Sequence, residues 1–198
     1  MWTSTHDLAP AYAYHARMLR LLQSRHRRKR WALKAPSHLH LLPTLFATYP
    51  DARLVVPHRD PLRVLGSLTN LMATLRWMRS DHVDYEAIVA AMSFGFHYQM
   101  ENLSKLRDTG AIPNDQIVDV RYADLVADPI ATVRKIYAAF EIEFTDAFDA
   151  NLRARLASRP RSARAVHEYS FDDTGLDLAE ERAKHTAYQE RYDVPSEL

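Results

Sequence analysis

DARLVVPHRDPLRVLGS, residues 51–67, runs from a turn through an apolar strand and into a helix. The run 53–57 is continuous in apolar residues after Arg53, the pattern of a strand buried on both faces of a parallel sheet. Asp60 is placed to cap the helix that follows, and Pro61 stands at its first position, where a missing N–H costs nothing. Leu65, Leu68, Met72 and Leu75 then recur along one helical side. In parallel α/β sheets, ligands gather at the carboxyl ends of strands beside helix N-termini, where unpaired N–H groups and the helix dipole favour anions. Arg59 follows the strand and Ser67 lies eight residues on, so a guanidinium fork and a hydroxyl are available to one phosphate. The competing reading of Arg59 is a surface residue or the partner of an aspartate.

Working outward, the same alternation recurs. Pro10 to Ser24 has apolar residues at Tyr14, Met18, Leu21 and Leu22, a helical spacing, and ends in the basic run RHRRKR, 25–30. That run reads as cations at a helix C-terminus or as an anionic-surface or nucleic-acid patch. WALK, 31–34, is a strand ending on Lys34, and Ser37 is a cap for a helix burying Leu41, Leu42, Leu45 and Phe46. A long helix is predicted from Tyr85 to about Arg107, a strand over 116–122, a helix over 129–140, another in AFDANLRARLA and a last one in LAEERAKHTAYQERY. Strands alternating with helices predict an α/β fold with a parallel sheet.

Composition narrows the function. A chain of 198 residues suits one domain, read as a helix and basic segment over 1–29, an α/β core over 30–145 and a C-terminal loop and helix over 146–198. The formal net charge of +1 gives no general attraction to nucleic acid, and none is expected as a partner. Cysteine is absent, which removes disulfides, thiolate metal sites and cysteine nucleophiles. No histidine spacing with carboxylates argues for a metal. The start MWTSTHDLAP lacks a signal-peptide pattern, and AIVAAMSFGFHYQM is too short to span a bilayer, so a cytoplasmic protein is expected. The four glycines, at 66, 95, 110 and 175, are far apart, so no glycine-rich phosphate loop is present.

The segments LKAPSHL, PDARLVVPHRDPLRVLGS, VRYADLVADPIATVRKIYAAF and HEYSFDDTGLD occur in an order that resembles the sulfotransferase family, from about Arg30 to Val194. The resemblance is to bacterial members with an LK-x-P-x-H segment ahead of R-D-P. It implies a P-loop-like parallel sheet flanked by helices, with 3′-phosphoadenosine 5′-phosphosulfate (PAPS) as sulfuryl donor and no metal. It assigns Arg59 and Ser67 to the 3′-phosphate and brings Tyr122 near the adenine; the alternative for Tyr122 is a core aromatic. Arg161 and Arg164, in the late loop, are further candidates for the 3′-phosphate. Sulfuryl transfer needs a base for the acceptor and a cation near the bridging oxygen. His38 is the candidate base, the alternative being a histidine in the first turn of a helix, and Lys34 is the catalytic cation. Many cytosolic members place their histidine two residues after the lysine. Here that residue is Pro36, and the histidine comes four after Lys34.

Family members begin with a strand and a P-R-S-G-T-T-like loop that hold the 5′-phosphosulfate. No such segment precedes Lys34, so the expected sheet lacks its first strand and phosphate loop. The expected function is sulfuryl transfer to a hydroxyl or amine on a small-molecule, glycan or lipid acceptor. The rival readings are a non-catalytic 3′-phosphoadenosine-binding module and a nucleic-acid-binding protein. An uncovered sheet edge also predicts pairing into a homodimer. TLRWMRSDHVDY and SFGFHYQM are candidates for an acceptor cleft or, at helical spacing, for core.

Overall fold

A computed structural model describes residues 6–25, 27, 29–158 and 170–198. The chain packs as two compact units, one of Met1–Arg53 with Glu101–Gln116, the other of Leu54–Met100 with Ile117–Leu198.

The first unit is helical. It holds α1 (Ala9–Gln23), a 3₁₀ turn (Pro36–His38) and α2 (Leu42–Thr48). Tyr12 is the buried residue of α1, whereas Tyr14, Leu21 and Leu22 are exposed. Ser37 caps no helix: it lies inside the 3₁₀ turn, and α2 starts at Leu42 without a side-chain cap. Leu42, Leu45 and Phe46 are buried as expected. The strand expected over 31–34 does not form; the segment is irregular and exposed. An extended run becomes a strand only when a neighbour completes its hydrogen-bond ladder, and the described residues offer WALK no such neighbour.

The second unit contains the sheet: β1 (Leu54–His58) and β2 (Ile117–Arg121) are parallel, with Leu54 opposite Ile117 and His58 opposite Arg121. The expectation that β1 is buried on both faces is not met. Val56 and His58 are buried, while Val55 and Pro57 are exposed. Among the described residues the sheet has two strands, so β1 is an edge, the place where a proline without an N–H is tolerated. After β1 comes α3 (Pro61–Trp77), then α4 (Tyr85–Asp108), whose last eight residues, Glu101–Asp108, belong to the first unit. After β2 come α5 (Tyr122–Ala127), α6 (Pro129–Ala139), α7 (Asp146–Ser158), a 3₁₀ turn (Asp172–Thr174) and α8 (Leu178–Tyr192). The architecture is therefore mostly helical α/β around a small parallel sheet.

Helix starts follow the caps written in the sequence. Asp60 accepts from the Leu62 N–H at 3.0 Å, Asp128 from Ala131 at 2.9 Å and Asp177 from Glu180 at 2.8 Å. Leu62, Leu65 and Phe171 form the core beneath α3, with Met92 and Leu176 against it. Burial of side chains of this size contributes about 1.5–3 kcal/mol each. Gly66 permits that packing, since a Cβ there would meet the Ser170 carbonyl oxygen at 3.2 Å and Phe171 Cα at 3.4 Å.

Candidate functional site

At the carboxyl end of β1, consecutive residues have opposite fates. His58 turns inward and is 2% exposed. Its Nε2 lies 2.8 Å from Asp119 Oδ1 and its Nδ1 2.8 Å from the Tyr188 hydroxyl, while its ring stacks on Tyr192 at 4.0 Å. Burial, with Tyr192 and Asp119 adding to it, raises the Tyr188 pKa, so that hydroxyl stays protonated. His58 is thus a hydrogen-bonded core residue that ties β1 and β2 to α8.

Asp60 is fully buried and does more than cap α3. Its carboxylate also receives both arms of the Arg182 guanidinium, at 2.5 and 3.1 Å, and the Glu197 N–H at 2.6 Å. Burial pushes the carboxyl up, but the hydrogen bonds from Arg182, Glu197 and Leu62 outweigh it and hold the pKa below the ordinary carboxylate value.

Arg59 faces away from this core, with its side chain 26% exposed. Its guanidinium carbon lies 4.2 Å from the centre of the Tyr122 ring, a cation–π contact made across the ends of the two strands. The fork closes on a carboxylate: Nε donates to Glu197 Oε1 at 2.8 Å and Nη2 to Oε2 at 2.6 Å. A bidentate carboxylate presents the same planar acceptor pair as two phosphate oxygens. Arg59, Arg121, Tyr122, Val126, Val194 and Glu197 line a cavity of about 190 Å³ at the strand ends. Arg121 is held there by both oxygens of Asp124, at 2.9 and 3.1 Å, and by Asp193. Its hydrogen bonds hold Asp124 below the ordinary carboxylate range.

Ser67 is half-buried in the second turn of α3. The two residues expected to clip a phosphate thus follow the same strand, but Arg59 grips Glu197. Tyr122 opens α5 and is half-buried, with its ring under Arg59.

The catalytic candidates belong to the first unit. Lys34 is exposed in the irregular segment and closes no strand, contrary to its expected setting. His38 ends the 3₁₀ turn, with Nδ1 2.7 Å from the Tyr12 hydroxyl. Burial, helped by His15 and His40, lowers its pKa, which favours the neutral ring near pH 7. When Nδ1–H donates to Tyr12, Nε2 keeps the lone pair that a base requires. Arg161 and Arg164 lie outside the described residues.

Sequence reasoning missed Glu197, Arg182 and Asp119, the partners of Arg59, Asp60 and His58. Each is a common surface residue type with no local motif around it. Among the described residues no cluster of three or more His, Cys, Asp or Glu could hold a metal, and no helix is long and apolar enough to cross a membrane.

The profile of the sulfotransferase family matches residues 4–146. Sulfotransferase STF9 from Mycobacterium avium is similar at 27% identity and a TM-score of 0.86, over 98% of this chain and 49% of that one. Sulfotransferase STF1 from Mycobacterium tuberculosis H37Rv is similar at 31% identity and a TM-score of 0.76, over 94% of this chain and 47% of that one. The chain therefore spans about half the length of either structure. No curated protein sequence matches it.

Proposed function

The chain belongs to the sulfotransferase family, and on that premise we propose that its strand-end site holds the 3′-phosphoadenosine moiety of PAPS during sulfuryl transfer to a hydroxyl or amine acceptor. The observation that carries the reading is the Arg59 fork, already closed on a paired-oxygen anion above the Tyr122 ring. A phosphate suits that fork as well as a carboxylate does, and Tyr122 offers an aromatic face for a base. Ser67 adds a hydroxyl from the flank of α3, and Arg161 and Arg164 are further cations for the same phosphate.

In the transfer, the acceptor oxygen or nitrogen bonds to sulfur, and the bond from sulfur to the bridging oxygen breaks. Adenosine 3′,5′-bisphosphate leaves. His38 Nε2 takes the acceptor proton, for which its lowered pKa keeps it neutral. Lys34 offsets charge on the leaving oxygen. The acceptor is a small molecule, glycan or lipid.

Calorimetric titration with adenosine 3′,5′-bisphosphate tests the reading. Arg59→Ala is expected to cost on the order of 2–5 kcal/mol of binding. Equal binding by wild type and Arg59→Ala would refute it.

A further inference from the structure

After α8, Asp193 adopts a left-handed conformation with φ of 50° and turns the chain back over the strand ends. The tail that follows is fastened in several places. Gln189 Nε2 donates to the Val194 carbonyl at 3.2 Å and to Ser196 Oγ at 3.3 Å. The Glu197 N–H donates to buried Asp60 at 2.6 Å, and Val194 is itself buried. These bonds fix the Glu197 backbone and leave its side chain to reach Arg59, 138 positions away in sequence.

Two independent observations make this more than a surface ion pair. The contact is bidentate, with both carboxylate oxygens on the Nε–Nη2 edge of the guanidinium, so another anion can take that edge only by displacing the carboxylate. The cavity beside it, about 190 Å³ with Glu197 in its wall, also falls below the roughly 300 Å³ at which small-molecule sites begin. A nucleotide phosphate on the Nε–Nη2 edge of Arg59 and the Glu197 carboxylate exclude each other.

We infer that Glu197 is a resident competitor for the phosphate site, a counter-ion that a 3′-phosphorylated nucleotide must displace from Arg59. This rests on the reading of Arg59 as the 3′-phosphate clip. The exchange requires no backbone movement, because the Asp60 bond is to the Glu197 N–H and survives when the side chain swings away. Glu197 then sets affinity through the 3′-phosphate alone. A ligand without that phosphate never contests the fork.

The test is calorimetric titration of the wild type, Glu197→Gln, Glu197→Ala and Arg59→Ala. The probes are adenosine 3′,5′-bisphosphate and adenosine 5′-monophosphate, and circular dichroism shows that each variant is folded. Removing a half-exposed ion pair from the competition is expected to tighten bisphosphate binding about fivefold in both Glu197 variants. Monophosphate binding should be unchanged, and Arg59→Ala should lose the bisphosphate. Equal or weaker bisphosphate binding by the Glu197 variants, with Arg59→Ala still deficient, overturns the competitor and leaves the clip standing. Bisphosphate binding that ignores Arg59→Ala, or none by any folded variant, removes the clip and the competitor together.

Discussion

The Arg59 guanidinium carbon stands 4.2 Å above the centre of the Tyr122 ring, so the first residue after β1 rests on the first residue after β2. The parallel register that sets His58 opposite Arg121 is what brings the two together. The ring is both a platform for the cation and, in the proposed function, a face for a nucleotide base.

Tyr122→Ala is therefore expected to weaken adenosine 3′,5′-bisphosphate binding roughly three- to tenfold, from a cation–π contact of about 0.5–1 kcal/mol plus lost stacking. Tyr122→Phe keeps the ring and should bind within about twofold of wild type. Titration calorimetry on both variants separates the ring from its hydroxyl, and equal losses would mean that stacking is irrelevant.

His58 links three elements through two hydrogen bonds, a buried one to Tyr188 and a part-buried one to Asp119. His58→Ala should destabilise the fold by about 2–4 kcal/mol, since it opens a cavity and strips the Tyr188 hydroxyl of a partner. Tyr188→Phe alone should cost about 1 kcal/mol. In urea unfolding, the double variant should cost less than the sum of the two single changes, because both remove the same bond.

Asp60 holds the start of α3, the Arg182 fork and the tail in one carboxylate. Asp60→Asn should lower stability by about 3 kcal/mol, because Arg182 is left half-buried without its anion. The wild type should also be acid-sensitive. The pKa of Asp60 is lower folded than unfolded, so its contribution is complete above the unfolded value of about 3.9 and is lost as pH falls through the folded one. Acid unfolding followed by circular dichroism should show a shallower loss below about pH 4 in Asp60→Asn.

His185 gives a second pH dependence, in a milder range. It is 1% exposed, its ring nitrogens have no hydrogen-bond partner, and its pKa is lowered to about 4 by burial and then by His97. Glu181, 3.9 Å away, opposes the shift; Lys184 and Arg182 add to it. The unfolded imidazole titrates near 6.5, so the unfolded chain binds the extra proton first. Stability is full above about 6.5 and falls towards pH 4, by up to about 3 kcal/mol. His185→Leu should flatten urea-midpoint stability across that range; an unchanged slope would place the titrating group elsewhere.

Much of the helical framework was legible because caps act locally. Asp60-Pro61, Asp128-Pro129 and the terminal run from Leu178 each state a helix start within a few residues, and each helix begins there. Ser37 failed as a cap because Pro36–His38 closes a 3₁₀ turn before α2 can begin. WALK failed as a strand for a different reason. A strand is a property of two segments, and an apolar run carries no information about whether its neighbour is there.

The sequence by itself determined the family, the α/β alternation and the placing of Arg59 and Tyr122 directly after the two strands. These depend on residues a few positions apart, whose spacing is set by helix and strand geometry. Only the tertiary structure decided that Arg59 grips Glu197, that Asp60 anchors Arg182 and that His58 bonds to Tyr188. Those pairs are separated by 138, 122 and 130 positions. Which residues meet over such spans depends on where α8 and the tail settle on the sheet, a result of packing the whole unit that no local periodicity records.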